Sequence, residues 1–314
     1  MRCFVFPGQG SQQPGMGRAF ADHPSWELVE EASEATGRDV GHLLLDADAG
    51  ELVETRNAQL GTFVHSMVVL DALRRRGVEP GAVAGHSLGE LSALRAAGVL
   101  GFADAVRLVQ ERGEAMQACT TERVGTMAAV LGLDEDPLVK LCDRVGGEVW
   151  IANLNAPGQV VIAGDPTDVE AAGKAAKDAG AKRVMPLEVS GAFHTAFMAP
   201  AGERLAAAVA ATTFGDAAMP VVANVDAAVH VSAADWPDLL DRQLVSPVRW
   251  AQSVETLVGL GATTFVEVGP GAVLTGTVKR IAREAERHSV MTPEQVDAVA
   301  DSLRLDRRLG HRPP

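Results

Sequence analysis

The feature that most constrains this chain is the segment of residues 83–90, which reads VAGHSLGE and places Ser87 at the centre of a Gly-x-Ser-x-Gly frame. A short apolar stretch precedes the serine, and a helix-like run over residues 88–97 follows it. This strand-turn-helix order is typical of a nucleophile elbow, in which a strained turn presents the serine hydroxyl outside the sheet. Because Gly85 and Gly89 have no Cβ, the strand and the helix can approach closely on either side of Ser87. A glycine-rich helix start without any chemistry is the alternative interpretation.

Size and charge bound the class of protein. With 314 residues, 47% of them apolar, the chain can bury a large core, as expected for one large domain or one with a smaller inserted unit. The formal net charge of -13 argues against nucleic acid and anionic membrane surfaces as partners. An acidic protein partner would need a local basic patch.

Cysteine usage and hydropathy bear on the compartment. Cys3, Cys119 and Cys142 show no paired or metal-binding spacing, which fits free thiols in a reducing environment. The apolar stretch of residues 3–7 is too short for a signal peptide, and no run approaches the ~20 apolar residues of a membrane span. We therefore expect a cytoplasmic protein.

The periodicity of apolar residues predicts an α/β fold. Residues 3–6 form a predicted buried strand that runs into the loop PGQGSQ at residues 7–12. This loop lacks the spacing of a dinucleotide fingerprint or a P-loop, and it is either a ligand loop at the end of a strand or a plain connection. Helical spacing recurs over residues 26–35, 62–76 and 102–118.

A second pattern lies between residues 124 and 189. The predicted order there is β-α-β-β-α-β, which is typical of a ferredoxin-like subdomain. Its predicted elements are strands at 126–133, 149–154, 159–163 and 183–187, and helices at 137–144 and 165–178. We predict that this unit, residues 124–189, is inserted into a large α/β domain with a mostly parallel sheet. Residues 1–123 and 190–314 would form that domain, with later strands at 221–225 and 264–268 and a last helix at 292–303.

A serine nucleophile needs a general base, and the chain has eight histidines. His86 adjoins Ser87, but neighbouring residues of a strand point to opposite faces, so its ring is expected to pack behind the sheet. His194 lies in a loop at the predicted domain junction, from which a side chain can reach another element. Elimination therefore favours His194 as the base.

An ordered set of motifs resembles that of the malonyl-CoA:acyl carrier protein transacylases. The motifs are FPGQGSQ at residues 6–12, GHSLGE at 85–90, RG at 112–113, NAPGQ at 155–159, FH at 193–194, Gln243 with PVRW at 247–250, and EVGPG at 267–271. That family has an α/β hydrolase-like large domain with a ferredoxin-like insertion, in agreement with the predicted elements.

The resemblance implies specific catalytic roles. Ser87 would attack a thioester carbonyl and carry the acyl group, while His194 would move the protons. The backbone carbonyl of Gln243 would orient the histidine, and the backbone amides of Gln9 and Leu88 would form the oxyanion hole. Histidine protonation should silence the enzyme at low pH, with a limb near a pKa of ~6.5 unless burial moves it.

The resemblance also implies the substrate class. Arg112 would pair with the free carboxylate of malonate, since a guanidinium suits a bidentate partner. From the residues alone, Arg112 could instead be an exposed helix arginine paired with Glu111 or Glu114. Phe193 would crowd an α-methyl group, so a Phe193→Ser variant is expected to gain activity toward methylmalonyl-CoA.

Other positions are implied with less support from the motifs. Asn155 would bind substrate, and Gln59 departs from the Gln-Pro-Ala stretch common in the family, which weakens its assignment to the pocket. Lys279 and Arg280 would contact an acidic acyl carrier protein. Lys182 and Arg183 are a second option for that contact, and either pair could be solvated surface.

Three functions remain open from the sequence. The first is a ping-pong transacylase that moves malonyl from malonyl-CoA to an acyl carrier protein, in fatty acid or polyketide synthesis. A trans-acting acyltransferase that uses another acyl donor belongs to the same class. The second is a serine esterase or thioesterase that passes the acyl group to water, and the third is a non-catalytic carrier-docking scaffold. No metal or redox cofactor is implied, because coenzyme A is part of the substrate.

Overall fold

The computed structural model describes residues 1–189 and 191–309, and of residues 304–309 only the backbone. The predicted domain boundary at Ser190 therefore lies outside the described residues. The strands are β1 (Arg2–Phe6), β2 (Ala82–Gly85), β3 (Thr126–Leu131), β4 (Val149–Ala156), β5 (Gln159–Gly164), β6 (Arg183–Pro186), β7 (Val221–Val222), β8 (Val229–His230), β9 (Thr264–Val268) and β10 (Glu286–Val290). The helices are α1 (Glu27–Thr36), α2 (Val40–Leu45), α3 (Ala49–Leu52), α4 (Thr55–Arg75), α5 (Gly89–Ala96), α6 (Phe102–Glu122), α7 (Glu135–Val145), α8 (Pro166–Asp178), α9 (Ala199–Ala211), α10 (Trp236–Gln243), α11 (Trp250–Gly259), α12 (Val273–Ile281) and α13 (Pro293–Leu309).

The larger sheet has the strand order β10-β9-β1-β2-β7-β8. All neighbouring strands in it run parallel except β7 and β8, which are antiparallel. Phe4 at its centre is opposite Val83 on one side and Val266 on the other. Because parallel strands end at the same edge, the loops after β1, β2 and β9 meet there. The α/β prediction is confirmed.

Helices cover both faces of this sheet. One apolar core packs one face against helices that include α4, α5 and α6, and a second packs the other face against α11 and α12. A sheet buried on both faces explains why its central strands read as continuous apolar runs without polar alternation.

The smaller sheet has the order β4-β5-β3-β6, and every pair in it is antiparallel. Helices α7 and α8 pack on it and close a third core. This unit is tied to the larger one through Val248, whose backbone bonds to Ala152 and Leu154 of β4 at 2.9 Å each. The end of β4 is therefore held close to the edge of the large sheet.

Several elements differ from the sequence prediction, which gave no strand at β8 and no helix at α2, α3, α9, α10 or α11. The strand predicted at 221–225 ends at Val222, because the chain reverses over residues 223–228 in a turn closed by hydrogen bonds of Ala223 with Ala227 and Ala228 and then pairs with β7 as β8. Helix α4 begins at Thr55 and not at residue 62, since Gly61 lies inside the helix against Met16. Strand β10 was not predicted.

Within residues 1–189 and 191–309, none of the helices is both long enough and apolar enough to cross a membrane.

Candidate active site

Ser87 occupies the turn between β2 and α5 with a φ of 54°, a left-handed conformation that is strained for a serine. The residues two positions before and two positions after Ser87 must be glycine. A Cβ on Gly85 would lie 1.8 Å from the carbonyl oxygen of Gly89, and a Cβ on Gly89 would lie 2.1 Å from that of Phe6. The turn therefore projects the Ser87 side chain beyond the end of the sheet.

Asn224 holds this turn in place from the side of β7. Its Oδ1 accepts a hydrogen bond from the amide of Ser87 at 2.7 Å, and its Nδ2 donates to the carbonyl of Gly85 at 2.7 Å. The two bonds fix the backbone on both sides of His86. They hold the strained serine in its conformation.

His194 lies beside the serine, in the loop that follows β6, and has a φ of 61°. Its Nε2 is 2.8 Å from Ser87 Oγ, and its Nδ1 donates to the backbone carbonyl of Gln243 at 3.0 Å. A carbonyl can only accept, so the ring proton is on Nδ1 and Nε2 is free to accept the serine proton.

Burial dominates the acidity of His194. Together with the smaller effect of the positive charge of Arg112, it lowers the pKa of the ring to about 3. The histidine is therefore neutral at neutral pH, as a base must be. The acid limb of the pH–rate profile that protonation of His194 causes should therefore lie well below pH 6.5.

Arg112 projects from α6 into the same space, and only 2% of its surface is exposed. Its Nη2 donates to Ser87 Oγ at 3.1 Å and to Gln243 Oε1 at 2.9 Å, while Nη1 donates to Gln59 Oε1 at 2.6 Å. Burial lowers the pKa of the guanidinium to about 10, so it stays charged at neutral pH. Its neutral acceptors leave that charge available to an anion.

The alternative role for Arg112, an exposed ion pair on α6, is wrong. Glu111 and Glu114 instead pair with Arg204 of α9 at the surface. The helix thus separates an outer salt-bridge face from an inner face that carries the site arginine.

Known proteins are similar to this chain over nearly its whole length. The acyl transferase domain family matches residues 3–306. The chain belongs to this acyl transferase family. A malonyl CoA-acyl carrier protein transacylase of Bacillus subtilis is 44% identical over 307 residues, which cover 96% of this chain and 97% of that protein.

Solved structures of other acyl transferases agree. An acyl-carrier-protein S-malonyltransferase from Burkholderia pseudomallei is 42% identical with a TM-score of 0.91, and it covers 96% of this chain and 99% of its own. A malonyl-transacylase in complex with a type II PKS acyl-carrier protein is 40% identical with a TM-score of 0.92, over 96% and 99% of the two chains.

The predicted oxyanion-hole residues Gln9 and Leu88 and the predicted pocket residue Phe193 lie near Ser87 or His194. The amides of Gln9 and Leu88 have no hydrogen-bond acceptor among the described residues. Gly8 brings the loop of Gln9 against the elbow, because a Cβ there would lie 2.6 Å from the carbonyl oxygen of His86. Phe193 is buried directly before His194.

Asn155 contacts the elbow through His86 and not through Ser87. Its Oδ1 lies 2.8 Å from His86 Nε2, and the His86 ring packs edge-on against Trp250 behind the sheet. This places Asn155 at the junction of the two sheets, one residue away from the nucleophile.

The predicted carrier residues are separate from this centre. Lys279 and Arg280 are exposed on α12 and line a cleft of about 450 Å³ with Arg283 and Arg287. Arg280 donates 2.7 Å hydrogen bonds to Gln159 Oε1 and to the carbonyl of Pro157. It therefore already supports the turn between β4 and β5.

Sequence reasoning missed two polar residues of the site, Glu90 and Asn224. A signal existed for Glu90, since a carboxylate stands among small and apolar residues directly after the elbow. Asn224 carried none, because it sits in a run that is predicted to be a strand. Among the described residues, no three His, Cys, Asp or Glu side chains are grouped so as to hold a metal ion.

Proposed function

We propose that this chain transfers a malonyl group from malonyl-CoA to the phosphopantetheine thiol of an acyl carrier protein through a seryl acyl-enzyme. One observation carries the choice of acyl group. A buried guanidinium, that of Arg112, lies 3.1 Å from the nucleophile Ser87 Oγ, where the free carboxylate of a short diacid would reach it. The similar proteins from Bacillus subtilis and Burkholderia pseudomallei are named as malonyl transferases of acyl carrier protein, which supports the same substrates here.

The first half-reaction loads the enzyme. Ser87 Oγ attacks the thioester carbon while His194 Nε2 takes its proton, and the amides of Gln9 and Leu88 receive the oxyanion. The carbon–sulfur bond then breaks, and the leaving coenzyme A thiolate takes the proton from Nε2. Water is not a reactant in this step.

The second half-reaction reverses the roles. The thiol of the carrier gives its proton to Nε2 and attacks the seryl ester, and Ser87 Oγ leaves with that proton. Gln243 orients His194 throughout through its backbone carbonyl. The coenzyme A thioester is a substrate, and we propose no metal or redox cofactor.

Further parts of the assignment follow from the same resemblance. Gln59 would hold Arg112 in the substrate pocket, Asn155 would bind substrate, and Phe193 would limit groups at the α-carbon. For the fold, we infer a hydrolase-like large unit, residues 1–123 and 190–314, with a ferredoxin-like unit at 124–189. The strand orders of the two sheets support this. We also propose a cytoplasmic location and a role in fatty acid or polyketide synthesis.

The carrier would dock on the basic surface of α12. Lys279 is the sharper test position, because Arg280 has a structural role at the turn after β4. Lys279→Glu is expected to raise the KM for carrier protein while malonyl loading stays unchanged. An unchanged KM would remove α12 from the interface.

The experiment that tests the function is a chase of the loaded enzyme. Enzyme exposed to malonyl-CoA is freed of excess thioester and mixed with holo-carrier, with carrier that lacks phosphopantetheine, or with buffer. We expect rapid transfer to the holo-carrier alone, and no loading of Ser87→Ala. Loss of malonyl to water at one rate in all three mixtures would show a hydrolase instead.

A further inference from the structure

We propose that Glu90 is a positioning residue whose ionised carboxylate holds the nucleophile, the base and the substrate arginine in one arrangement. This inference deepens the proposed function and rests on it for the acyl group. It concerns a side chain that does not reach the reacting atoms. Glu90 is fully buried at the start of α5, three residues after Ser87.

One arm of this arrangement is Gln243. Its Nε2 donates to Glu90 Oε2 and, at 3.0 Å, to the carbonyl of Ser87. Its Oε1 accepts from Arg112, and its backbone carbonyl accepts from His194. A single glutamine fixed by Glu90 therefore contacts all three groups of the proposed chemistry.

The other arm is Asn224. Its backbone amide donates to Glu90 Oε1 at 2.7 Å, and its side chain holds the elbow through Ser87 and Gly85. The two oxygens of Glu90 thus receive one donor each, from two different segments of the chain.

The ionised carboxylate is the form that satisfies both donors. A carboxylate is acceptor-only, whereas a protonated carboxyl places a hydrogen where Gln243 or Asn224 must donate. Protonation of Glu90 should therefore loosen at least one arm. A residue that merely filled space would have no such dependence on charge.

The surroundings place this protonation near neutral pH. Burial raises the pKa of Glu90 to about 7, opposed by the hydrogen bonds from Asn224 and Gln243 and by the charge of Arg112. Among the described residues, the charged groups that act on it are Arg112 and Asp226, and His194 lies across Gln243. Because the pKa of His194 is far lower, Glu90 should govern the reactivity of Ser87 between about pH 6 and about pH 8.

The test measures labelling of Ser87 by a fluorophosphonate probe against pH, which does not depend on the natural acyl group. For the wild type we expect the rate to rise at least about threefold from pH 6 to pH 8, with a midpoint near 7. Glu90→Gln should label at least about tenfold more slowly and without this midpoint. A flat wild-type profile, or the midpoint retained in Glu90→Gln, would overturn the proposal.

Glu267→Gln is the matched control. Glu267 is also a fully buried carboxylate, but it lies in β9 and accepts from the amides of Leu274 and Thr275 at the start of α12. It should keep the wild-type midpoint. If Glu90→Gln does not fold, Glu90→Asp is expected to label slowly and yet retain a pH midpoint, and a flat Glu90→Asp profile would contradict the proposal.

A second readout separates this inference from the proposed function. Glu90→Gln should lower malonyl loading more than acetyl loading, because Arg112 loses its support. If wild-type labelling shows the midpoint but malonyl-CoA gives no adduct, the role of Glu90 stands and the proposed acyl group fails.

Discussion

At the scale of single residues, the site combines a strained serine, a neutral histidine and a buried cation. Ser87 and His194 both have positive φ angles, which cost free energy. Asn224 fixes the backbone at Ser87, and a hydrogen bond from Thr195 Oγ1 to the carbonyl of Ala192 spans His194. The cation of Arg112 then has two effects. It favours an alkoxide on Ser87, and it disfavours protonation of His194.

The first prediction concerns selectivity. Arg112→Ala should slow acylation by malonyl-CoA about 100-fold, equivalent to about 3 kcal/mol, because the substrate carboxylate loses its buried partner. Acylation by acetyl-CoA should change far less, as measured by single-turnover kinetics with both donors. Arg107→Ala on the exposed face of α6 is the control and should match the wild type. A preference for malonyl that survives in Arg112→Ala would exclude this role.

At the scale of elements, the site depends on three parallel strands that end together. The loop after β1, the elbow after β2 and the loop after β9 meet at one edge, and α6, β4 and the segment after α10 surround them. Helix α5 begins at Gly89, two residues after Ser87, so its dipole would favour negative charge at the proposed oxyanion position.

The second prediction tests the approach of the first loop. In Gly8→Ala the new methyl group would meet the carbonyl of His86, so the loop must move and carry the amide of Gln9 away from Ser87. Acylation by malonyl-CoA and acetyl-CoA should both slow by about tenfold or more. Gly202→Ala inside α9, where a Cβ meets nothing within 4 Å, should leave the rates unchanged and stabilise the fold by about 0.5 to 1 kcal/mol. Wild-type rates in a folded Gly8→Ala variant would show that this loop does not contribute.

The sequence predicts such elements well where the pattern is local. Strands β1 and β9, the elbow and the small antiparallel unit all follow from apolar runs and glycine positions. It fails where distant residues decide the outcome. Asn224 lies in the turn after β7 and bonds Ser87 and Glu90, which are 137 and 134 positions away in the chain. Gln243 joins three residues that are 49 to 156 positions away. Gln59 departs from the family motif, yet its side-chain oxygen accepts a hydrogen bond from Arg112.

At the scale of the whole molecule, a buried histidine links folding to pH. His65 lies in α4 and is fully buried. Its ring faces the backbone of Met16 and Met291, but within the described residues neither ring nitrogen is close enough and well enough aligned for a full hydrogen bond. Burial lowers its pKa to about 4. The neutral ring packs as an apolar group against Phe20.

The third prediction follows from this lowered pKa. The pKa of His65 is about 6.5 in the unfolded chain and about 4 in the folded chain. The contribution of the neutral ring to the free energy of unfolding is therefore fully present above pH 6.5 and is lost as the pH falls from 6.5 to 4. His65 should therefore destabilise the protein by about 2 kcal/mol between pH 7 and pH 5. Urea unfolding at the two pH values should show a smaller loss in His65→Leu, whereas His42→Gln at an exposed position should not reduce it. Equal losses in His65→Leu and the wild type would contradict this account. The raised pKa of Glu90 has the opposite effect, because it stabilises the fold as the pH falls. Glu90 is present in the wild type, His65→Leu and His42→Gln, so its contribution cancels from the comparison.

The most direct test of the central claim is peptide-mapped mass spectrometry of the protein after brief exposure to malonyl-CoA or acetyl-CoA in separate samples. We expect one malonyl ester per chain, located on Ser87, that forms much faster than the acetyl ester and is absent from Ser87→Ala. Malonyl on another residue, equal loading by both donors, or no adduct on Ser87 would contradict it.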